Sequence, residues 1–380
     1  MNQFRVLPLT MIFRAVGISI QVGLPIILAT YYRLAPAYVG FAISAYWLLS
    51  SFGGLVSSYW KKKILLDIGL ALSIASLLLL NVFRSAIASI VIFSMVGFGI
   101  SMGYQFLPVF AFKKEDSGAG ISIYGAGLSL GAILGTSINL LYSNASIEDF
   151  APYLLALLCG VAMVIAIRIT YVHRGSTGLS ILRPFRSSEF RSVFGMNFIN
   201  SIFLPLFTTF AGVYGIERYH ISSLVIFLAF IAMFFISLST RFLLIRVGMR
   251  RSNLLLTISF LSMALSFGLI AISSSPLIYM IGFLLYGLNQ GIGYPVLTWN
   301  ALRTGGDDIM NSNFVYSSSS SMAEFLAPTI GSVIAIGSEV NGVFVFATVI
   351  SALALVYSIL NTLRSSARNM RSAGGLDHER

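Results

Sequence analysis

Long apolar segments separated by short polar ones run through the whole chain of 380 residues. Each is about 20–25 residues long, enough for a helix rising about 1.5 Å per residue to cross a hydrocarbon layer of about 30 Å. Apolar residues fill all sides of these segments, whereas strands of a transmembrane barrel alternate apolar and polar residues. The pattern therefore predicts an all-α membrane protein with twelve spans, at approximately residues 7–31, 37–59, 64–83, 86–110, 119–142, 151–171, 192–214, 220–243, 252–273, 276–300, 312–336 and 340–362.

The composition agrees with this pattern. Hydrophobic residues make up 57% of the chain and charged residues only 10%, whereas a soluble domain is about a quarter charged. The mean hydropathy is +0.88. Such a chain cannot hide its apolar residues inside one soluble globule, so most of its surface must face lipid. We therefore expect a multi-pass integral protein of the plasma membrane.

The basic residues mark one side of the membrane. Only Arg33, Arg84 and Arg218 lie in the odd-numbered gaps between spans. The two ends and the even-numbered gaps hold nearly all the others, namely Arg5, Lys61, Lys62, Lys63, Lys113, Lys114, Arg168, Arg174, Arg183, Arg186, Arg191, Arg241, Arg246, Arg250, Arg251, Arg303, Arg364, Arg368, Arg371 and Arg380. Cationic loops stay on the cytoplasmic side during insertion, so both termini are predicted to be cytoplasmic. The net charge of +11 suits anionic lipid headgroups better than nucleic acid, because the basic residues form no compact patch.

The longest polar connection divides the chain into two similar halves. The predicted parts are an amino-terminal six-helix bundle, a cytoplasmic linker, a carboxyl-terminal six-helix bundle and a flexible cytoplasmic tail, at residues 1–172, 173–190, 191–365 and 366–380 respectively. The run from Gly97 to Tyr104 resembles the run from Gly287 to Tyr294, 190 residues further on. Such duplication is typical of secondary transporters, whose substrate site lies between the repeats.

The loop after the second segment carries a family resemblance. Residues 54–63, Gly-Leu-Val-Ser-Ser-Tyr-Trp-Lys-Lys-Lys, resemble the major facilitator signature Gly-x-x-x-Asp-Arg-x-Gly-Arg-Arg, although Ser58 stands where the Asp belongs. Residues 246–251, Arg-Val-Gly-Met-Arg-Arg, are similar to the other end of the same signature. In the first segment, Arg14 together with the Leu24-Pro25 pair is similar to drug-efflux-type facilitators. The resemblance implies two six-helix bundles around a central cavity.

The resemblance also implies a gating role for the two basic loops. In the family, the acidic residue of the signature pairs with basic groups across the bundle interface and holds one state. Neither copy here has a carboxylate at that place, so anchoring of the loops on the cytoplasmic side is an equally good interpretation. The residues assigned to this gating loop are Gly54, Lys61, Lys62, Lys63, Gly248, Arg250 and Arg251.

The resemblance further implies that the first, fourth, seventh and tenth segments line the cavity. The polar residues that these segments offer to a substrate path are Gln21, Tyr104, Gln105, Asn197, Asn200, Asn289, Gln290 and Tyr294. Amides that faced lipid would lack hydrogen-bond partners, so a solvated cavity suits them. Because this set is poor in charge, we expect a small molecule that is neutral or amphipathic.

Glu324 is the only acidic residue placed deep inside a predicted span. Burial disfavours a charged carboxylate, so this group is a candidate proton carrier. The alternative is a neutral, hydrogen-bonded side chain that only holds its helix in place. Arg14 is the nearest candidate partner. It lies roughly 10 Å deep, against roughly 18 Å for Glu324, so snorkelling or contact with an anionic substrate is favoured over a salt bridge.

These observations favour a secondary active transporter that is expected to act as a monomer, with proton-coupled efflux as the hypothesis for its mode of action. There are two alternatives. The protein takes up a small metabolite, or it is a transport-inactive relative that serves as a receptor or scaffold. An enzyme is not expected, because the spans contain no acid pair or His cluster. No phosphate-binding loop occurs and Cys159 is the only cysteine, so neither ATP drive, a cofactor nor a metal site is predicted.

Overall fold

A computed structural model describes residues 3–60, 63–80, 82–83, 85–112, 118–143, 150–167, 183–249, 251–306 and 309–374. These residues are helical almost throughout and include no strand, as predicted. The helices are α1 (Gln3–Thr30), α2 (Pro36–Trp60), α3 (Ile64–Leu79), α4 (Ala86–Tyr104), α5 (Leu107–Ala111), α6 (Ala119–Asn139), α7 (Phe150–Ile167), α8 (Ser188–Leu206), α9 (Gly212–Tyr219), α10 (Ser223–Val247), α11 (Ser252–Ile272), α12 (Pro276–Thr304) and α13 (Ile309–Gly374). A π-helical turn, Phe207–Ala211, joins α8 to α9.

Nine of the described helical stretches are long and apolar enough to cross a membrane. The last of them, Ile309–Leu363, contains two of the predicted spans. The backbone leaves helical geometry between these two spans, at Ser338 and Glu339. Helix α3 is shorter, with 16 residues. Helix α12 has 29 residues but carries amides at its centre and is not among the nine. The count of twelve crossings and their orientation stay predictions.

Glycines let α1 and α6 pack backbone to backbone. A Cβ atom on Gly131 would clash with the backbone oxygen of Met11, and one on Gly135 with that of Ala15. Small residues four apart on one helix face allow such close approach in membranes, where packing rather than the hydrophobic effect holds helices together. The Gly127-Gly131-Gly135 series is therefore a helix-packing surface.

Replacing Gly135 with valine is expected to destabilise the protein by about 1–3 kcal/mol, because the side chain would push α6 away from α1. The measurement is the thermal unfolding midpoint of the purified protein in one detergent. Gly160→Val on α7 is the matched control, since nothing lies within 4 Å of a Cβ atom there. Equal midpoints for the two variants would contradict this account of the α1–α6 interface.

The helices before and after residues 168–182 form two groups that meet along two seams. Helices α1 to α7 contact one another, and α8 to α13 do the same. Between the groups, α2 packs along α13 and α6 packs along α10. Most of the predicted linker lies outside the described residues. Helix α13 extends to Gly374, into the stretch for which a flexible tail was predicted.

Close contacts between the two groups occur near the end of the molecule where α2 begins. A Cβ atom on Gly40 would clash with the Oγ of Ser332 and would lie 2.8 Å from the ring of Phe210. Four residues along α2, Ser44 accepts a hydrogen bond of 2.9 Å from Thr329 of α13. We call Gly40, Ser44, Thr329 and Ser332 the upper seal. The upper seal brings α2 and α13 together between the middle of the molecule and the end at which α2 begins.

Candidate functional site

A cavity of about 130 Å³ lies between the two groups of helices. Helices α1, α2, α4 and α6 contribute one side of its wall, and α10, α12 and α13 contribute much of the other. The polar part of the lining comes from Arg14, Gln21, Tyr46, Trp47, Ser50, Ser101, Tyr104, Gln105, Ser129, Ser237, Arg241, Gln290, Tyr294, Tyr316, Ser317, Ser320, Ser321 and Glu324. A central position between repeats is where transporters of this organisation bind substrate.

Most of the predicted path residues meet at this cavity. The predicted residues that line it are Gln21, Tyr104, Gln105, Gln290, Tyr294, Arg14 and Glu324. Gln21 has a buried Oε1 atom without a hydrogen-bond partner among the described residues. On the opposite side, Gln290 donates to the hydroxyl of Tyr286 at 2.9 Å. Amides from α1 and α12 thus reach the cavity from opposite halves.

Three predicted amides lie within the carboxyl-terminal half instead. Asn197 of α8 donates to the hydroxyl groups of Ser319 and Ser320 of α13, both at 2.7 Å. Asn289 of α12 donates to Ser259 Oγ at 2.8 Å and to Asn200 Oδ1 at 3.3 Å. These bonds join neighbouring helices. None of the three asparagines is part of the cavity wall.

Arg241 is a cavity residue that sequence reasoning missed. The sequence pattern counted it with the basic residues of a cytoplasmic gap, although it lies at the edge of the predicted span 220–243. Helix α10 continues to Val247 and keeps Arg241 inside the helix, with only 3% of its surface exposed. Its guanidinium donates to the backbone oxygen of Gly125 on α6 and, at 2.8 Å, to that of Gln290 on α12. The apolar residues that follow Arg241 were the available signal that the helix continues.

Tyrosine hydroxyls form a second contact between the halves. Tyr124 of α6 shares a hydrogen bond of 3.2 Å with Tyr294 of α12. Tyr104 of α4 also interacts with the hydroxyl of Tyr124. Tyr104 and Tyr294 end the two repeated runs identified in the sequence. Equivalent positions of the two repeats therefore meet at one hydroxyl.

Arg14 and Glu324 face the same cavity from α1 and α13. The guanidinium of Arg14 acts electrostatically on the Glu324 carboxyl and on Arg241. Arg14 and Glu324, both within the described part of the chain, form no hydrogen bond or ion pair with each other. Both side chains are partly accessible rather than buried, so they present charge to whatever occupies the cavity.

Comparison with protein families identifies the chain. Residues 6–306 match the model of the Major Facilitator Superfamily. The chain belongs to the Major Facilitator Superfamily. It is a transporter of that family and not an enzyme. A search of curated protein sequences gave no match.

Solved structures of facilitators share the fold over nearly the whole chain. The human organic anion transporter MFSD10 (TETRAN) is 16% identical, with a TM-score of 0.71 over 94% of this chain and 100% of its own. The nucleoside transporter NupG is 14% identical, with a TM-score of 0.68 over 95% and 99%. A D-xylose-proton symporter is 12% identical, with a TM-score of 0.74 over 94% and 96%. Identities this low establish the fold alone.

The degenerate facilitator signature begins in the last turns of α2 and packs helices within the amino-terminal half. Gly54 lies against the side chain of Gln105, and Ser57 donates to the backbone oxygen of Met102 on α4. Lys63 donates to the backbone oxygen of Ile167, the last residue of α7, at 3.2 Å. A cation there suits the helix end, where carbonyl groups lack partners. Lys61 and Lys62 lie outside the described residues.

The second copy of the facilitator signature reaches across the halves. Gly248 ends α10 with a φ of 71°, which a residue with a Cβ adopts only with strain. The turn places the buried Met249 against Gly118, at the start of α6. Arg251 precedes α11 and is exposed, and Arg250 lies outside the described residues. The contact between the halves here is made by an apolar side chain.

Proposed function

We propose that this facilitator carries a small amphipathic molecule through the central cavity by alternating access, with Glu324 as the proton carrier. One observation carries the proposal: residues of both halves wall a single cavity that contains charged and unpaired polar groups. Rocking of one half against the other would expose this cavity to each side of the membrane in turn.

The contacts between the halves suit such a motion. The α2–α13 seam is joined by hydroxyl and glycine contacts at the upper seal, and the α6–α10 seam by a hydrogen bond of 3.0 Å between Ser129 and Ser237. The α6–α10 seam also holds the bond from Arg241 to the backbone oxygen of Gly125. One interhelical hydrogen bond in a membrane contributes about 0.6 kcal/mol, so a few contacts of this kind can break and re-form as the halves move.

The proposed direction of transport and the proposed coupling to protons rest on different features. The first-helix resemblance to drug-efflux-type facilitators favours efflux, with uptake as the alternative. The position of Glu324 on the cavity wall, in the electrostatic field of Arg14, supports proton coupling. A receptor or scaffold without transport is the less favoured reading, because Gln21 Oε1 and Trp47 Nε1 are left unpaired at the cavity among the described residues.

Exchange of Glu324 for glutamine is expected to remove the response to a pH gradient while leaving transport itself. The amide keeps the shape of the side chain but cannot take up and release a proton as a carboxyl group does. Proteoliposomes containing the parent protein should accumulate substrate when a pH gradient is imposed. Under the same gradient, accumulation by Glu324→Gln should be lower than that of the parent protein by a factor of at least about ten. Exchange of labelled for unlabelled substrate without a gradient should persist in both.

The matched control is Glu339→Gln, which changes a carboxyl beyond the upper seal, at the break in α13. Its accumulation should equal that of the parent protein. Gradient-driven accumulation by Glu324→Gln at the parent level would rule out Glu324 as the carrier. Absence of any flux across a broad panel of compounds would argue against transport altogether.

A further inference from the structure

We propose that the transported molecule is a single-chain amphipathic carboxylate that exchanges between the cavity and the lipid layer. Its acid head would lie against Arg14 and Arg241, and its apolar tail would occupy a groove between α2 and α13. This inference deepens the function proposed above and rests on it, and it replaces a neutral substrate with an anion.

The charges around the cavity favour an anion. Three charged side chains line it, two of them guanidinium groups and one the Glu324 carboxyl. With Glu324 ionised the wall still has an excess of one positive charge, and with Glu324 protonated it has an excess of two. Arg14 and Arg241 repel each other, and an anion between them would relieve that repulsion. Water screens such interactions poorly in a confined site.

Unpaired donors lie next to these charges. Two nitrogen atoms of the Arg241 guanidinium donate hydrogen bonds to backbone oxygens, but its Nε–H has no partner among the described residues. The buried indole Nε1–H of Trp47 is likewise unpaired there, and it belongs to the same cavity wall. A carboxylate accepts hydrogen bonds at both oxygens and donates none. It therefore matches this set of donors better than an alcohol or an ammonium group does.

A groove beside the cavity suits the tail. It has a volume of about 300 Å³ and lies between α2 and α13. Its apolar wall consists of Leu48, Phe52, Leu55, Phe314, Met322 and Phe325. Gln105 and Ser321 belong to both the groove and the central cavity, so the two spaces adjoin.

The outer side of the groove is open to the lipid layer. Phe52 and Met322 are 52% and 57% exposed, on the outward surfaces of their helices. Apolar side chains with that exposure in a membrane protein contact lipid tails. A molecule with its tail in this groove could leave or enter the membrane sideways, while its head remains with the two arginines. The groove and the head site together select one occupant, a carboxylate with a single apolar chain.

Binding of a bromine-labelled acid tests the proposal without requiring transport. Bromine quenches tryptophan fluorescence on contact, and Trp47 is one of three tryptophans in the chain. The full chain in lipid nanodiscs should show saturable quenching by 2-bromodecanoate, and Trp47→Phe should lose the saturable part. The neutral 2-bromodecanol should bind about tenfold more weakly or worse, since it cannot form charge-assisted hydrogen bonds. Arg14→Gln should weaken binding of the acid by a similar factor.

A matched pair of substitutions tests the groove separately. Ser318 lines the groove, and within the described part of the chain its hydroxyl bonds only to the backbone oxygen of Val315 in its own helix. Ser318→Phe should fill the groove and weaken binding of 2-bromodecanoate about tenfold, with binding of the short acid 2-bromobutanoate unchanged. Ser239 makes the same kind of bond on an exposed face of α10, so Ser239→Phe should bind both acids like the parent.

Equal affinity for acid and alcohol would overturn the anionic head. Equal effects of Ser318→Phe and Ser239→Phe would overturn the groove. Unsaturable quenching that persists in Trp47→Phe would show partition into lipid only and would overturn both. Saturable, charge-selective binding without flux in proteoliposomes would support the head site and the groove as a binding site for the acid and would contradict the proposed transport, so the two can fail separately.

Discussion

Arg241→Met is expected to reduce substrate flux at least about tenfold while leaving the folded protein as stable as the parent. Methionine fills a similar volume, and removal of a guanidinium that is costly to bury in a membrane offsets the loss of its two hydrogen bonds to backbone oxygens. Flux should fall for two reasons. The cavity loses one of its two cations, and α10 loses its hydrogen bond to Gly125 across the halves. The measurements are flux in proteoliposomes and the thermal unfolding midpoint.

Arg246→Met is the control for this result, because Arg246 is on the same helix but exposed. It should transport like the parent protein. Arg241→Lys should give an intermediate flux, since an ammonium group keeps the charge but cannot reproduce the planar contacts of a guanidinium with two carbonyl oxygens. Parent-level flux in Arg241→Met would show that the arginine serves neither binding nor movement.

Gly40→Val is expected to keep the upper seal from closing. The valine side chain would meet Ser332 and the ring of Phe210, so α2 could not approach α13 without a backbone shift. Flux should be nearly abolished, because one of the two alternating states is lost. A Ser44→Cys reporter, buried in the closed seal, should react with a membrane-impermeant maleimide about tenfold faster in the Gly40→Val background.

The single natural cysteine makes this measurement direct. Cys159 is buried on α7, and Cys159→Ala removes it as a competing thiol. Gly195→Val on α8 is the matched control, since nothing lies within 4 Å of a Cβ atom there. The control should leave both flux and labelling unchanged. Slow labelling together with normal flux in Gly40→Val would mean that the seal does not open and close during transport.

The sequence pattern predicted the class of fold and singled out two charged residues inside the spans. Segment length and hydropathy depend only on composition, so an all-helical membrane protein could be read from the sequence. Arg14 and Glu324 were found because charge inside an apolar segment is rare and stands out at once. The structure places Arg14 and Glu324 at one cavity, although their helices are about 300 residues apart in the chain.

Helix faces could not be predicted in the same way. A helix that contacts lipid on one side and protein on the other is apolar all round, so periodicity does not show which side faces the cavity. Asn197, Asn200 and Asn289 therefore looked equivalent to Gln21 and Gln290. The structure separates them, since the asparagines bond to neighbouring helices.

The position of Arg241 affects how the protein is made. Because synthesis runs from the amino terminus, α10 is made before α12, so the Gln290 carbonyl is still absent when Arg241 must be accommodated. The Gly125 carbonyl is already present on α6. A lone guanidinium is costly inside hydrocarbon, so early docking of α10 on α6 would shelter it. The finished first half would then act as a template for assembly of the second, along the seam that later has to move.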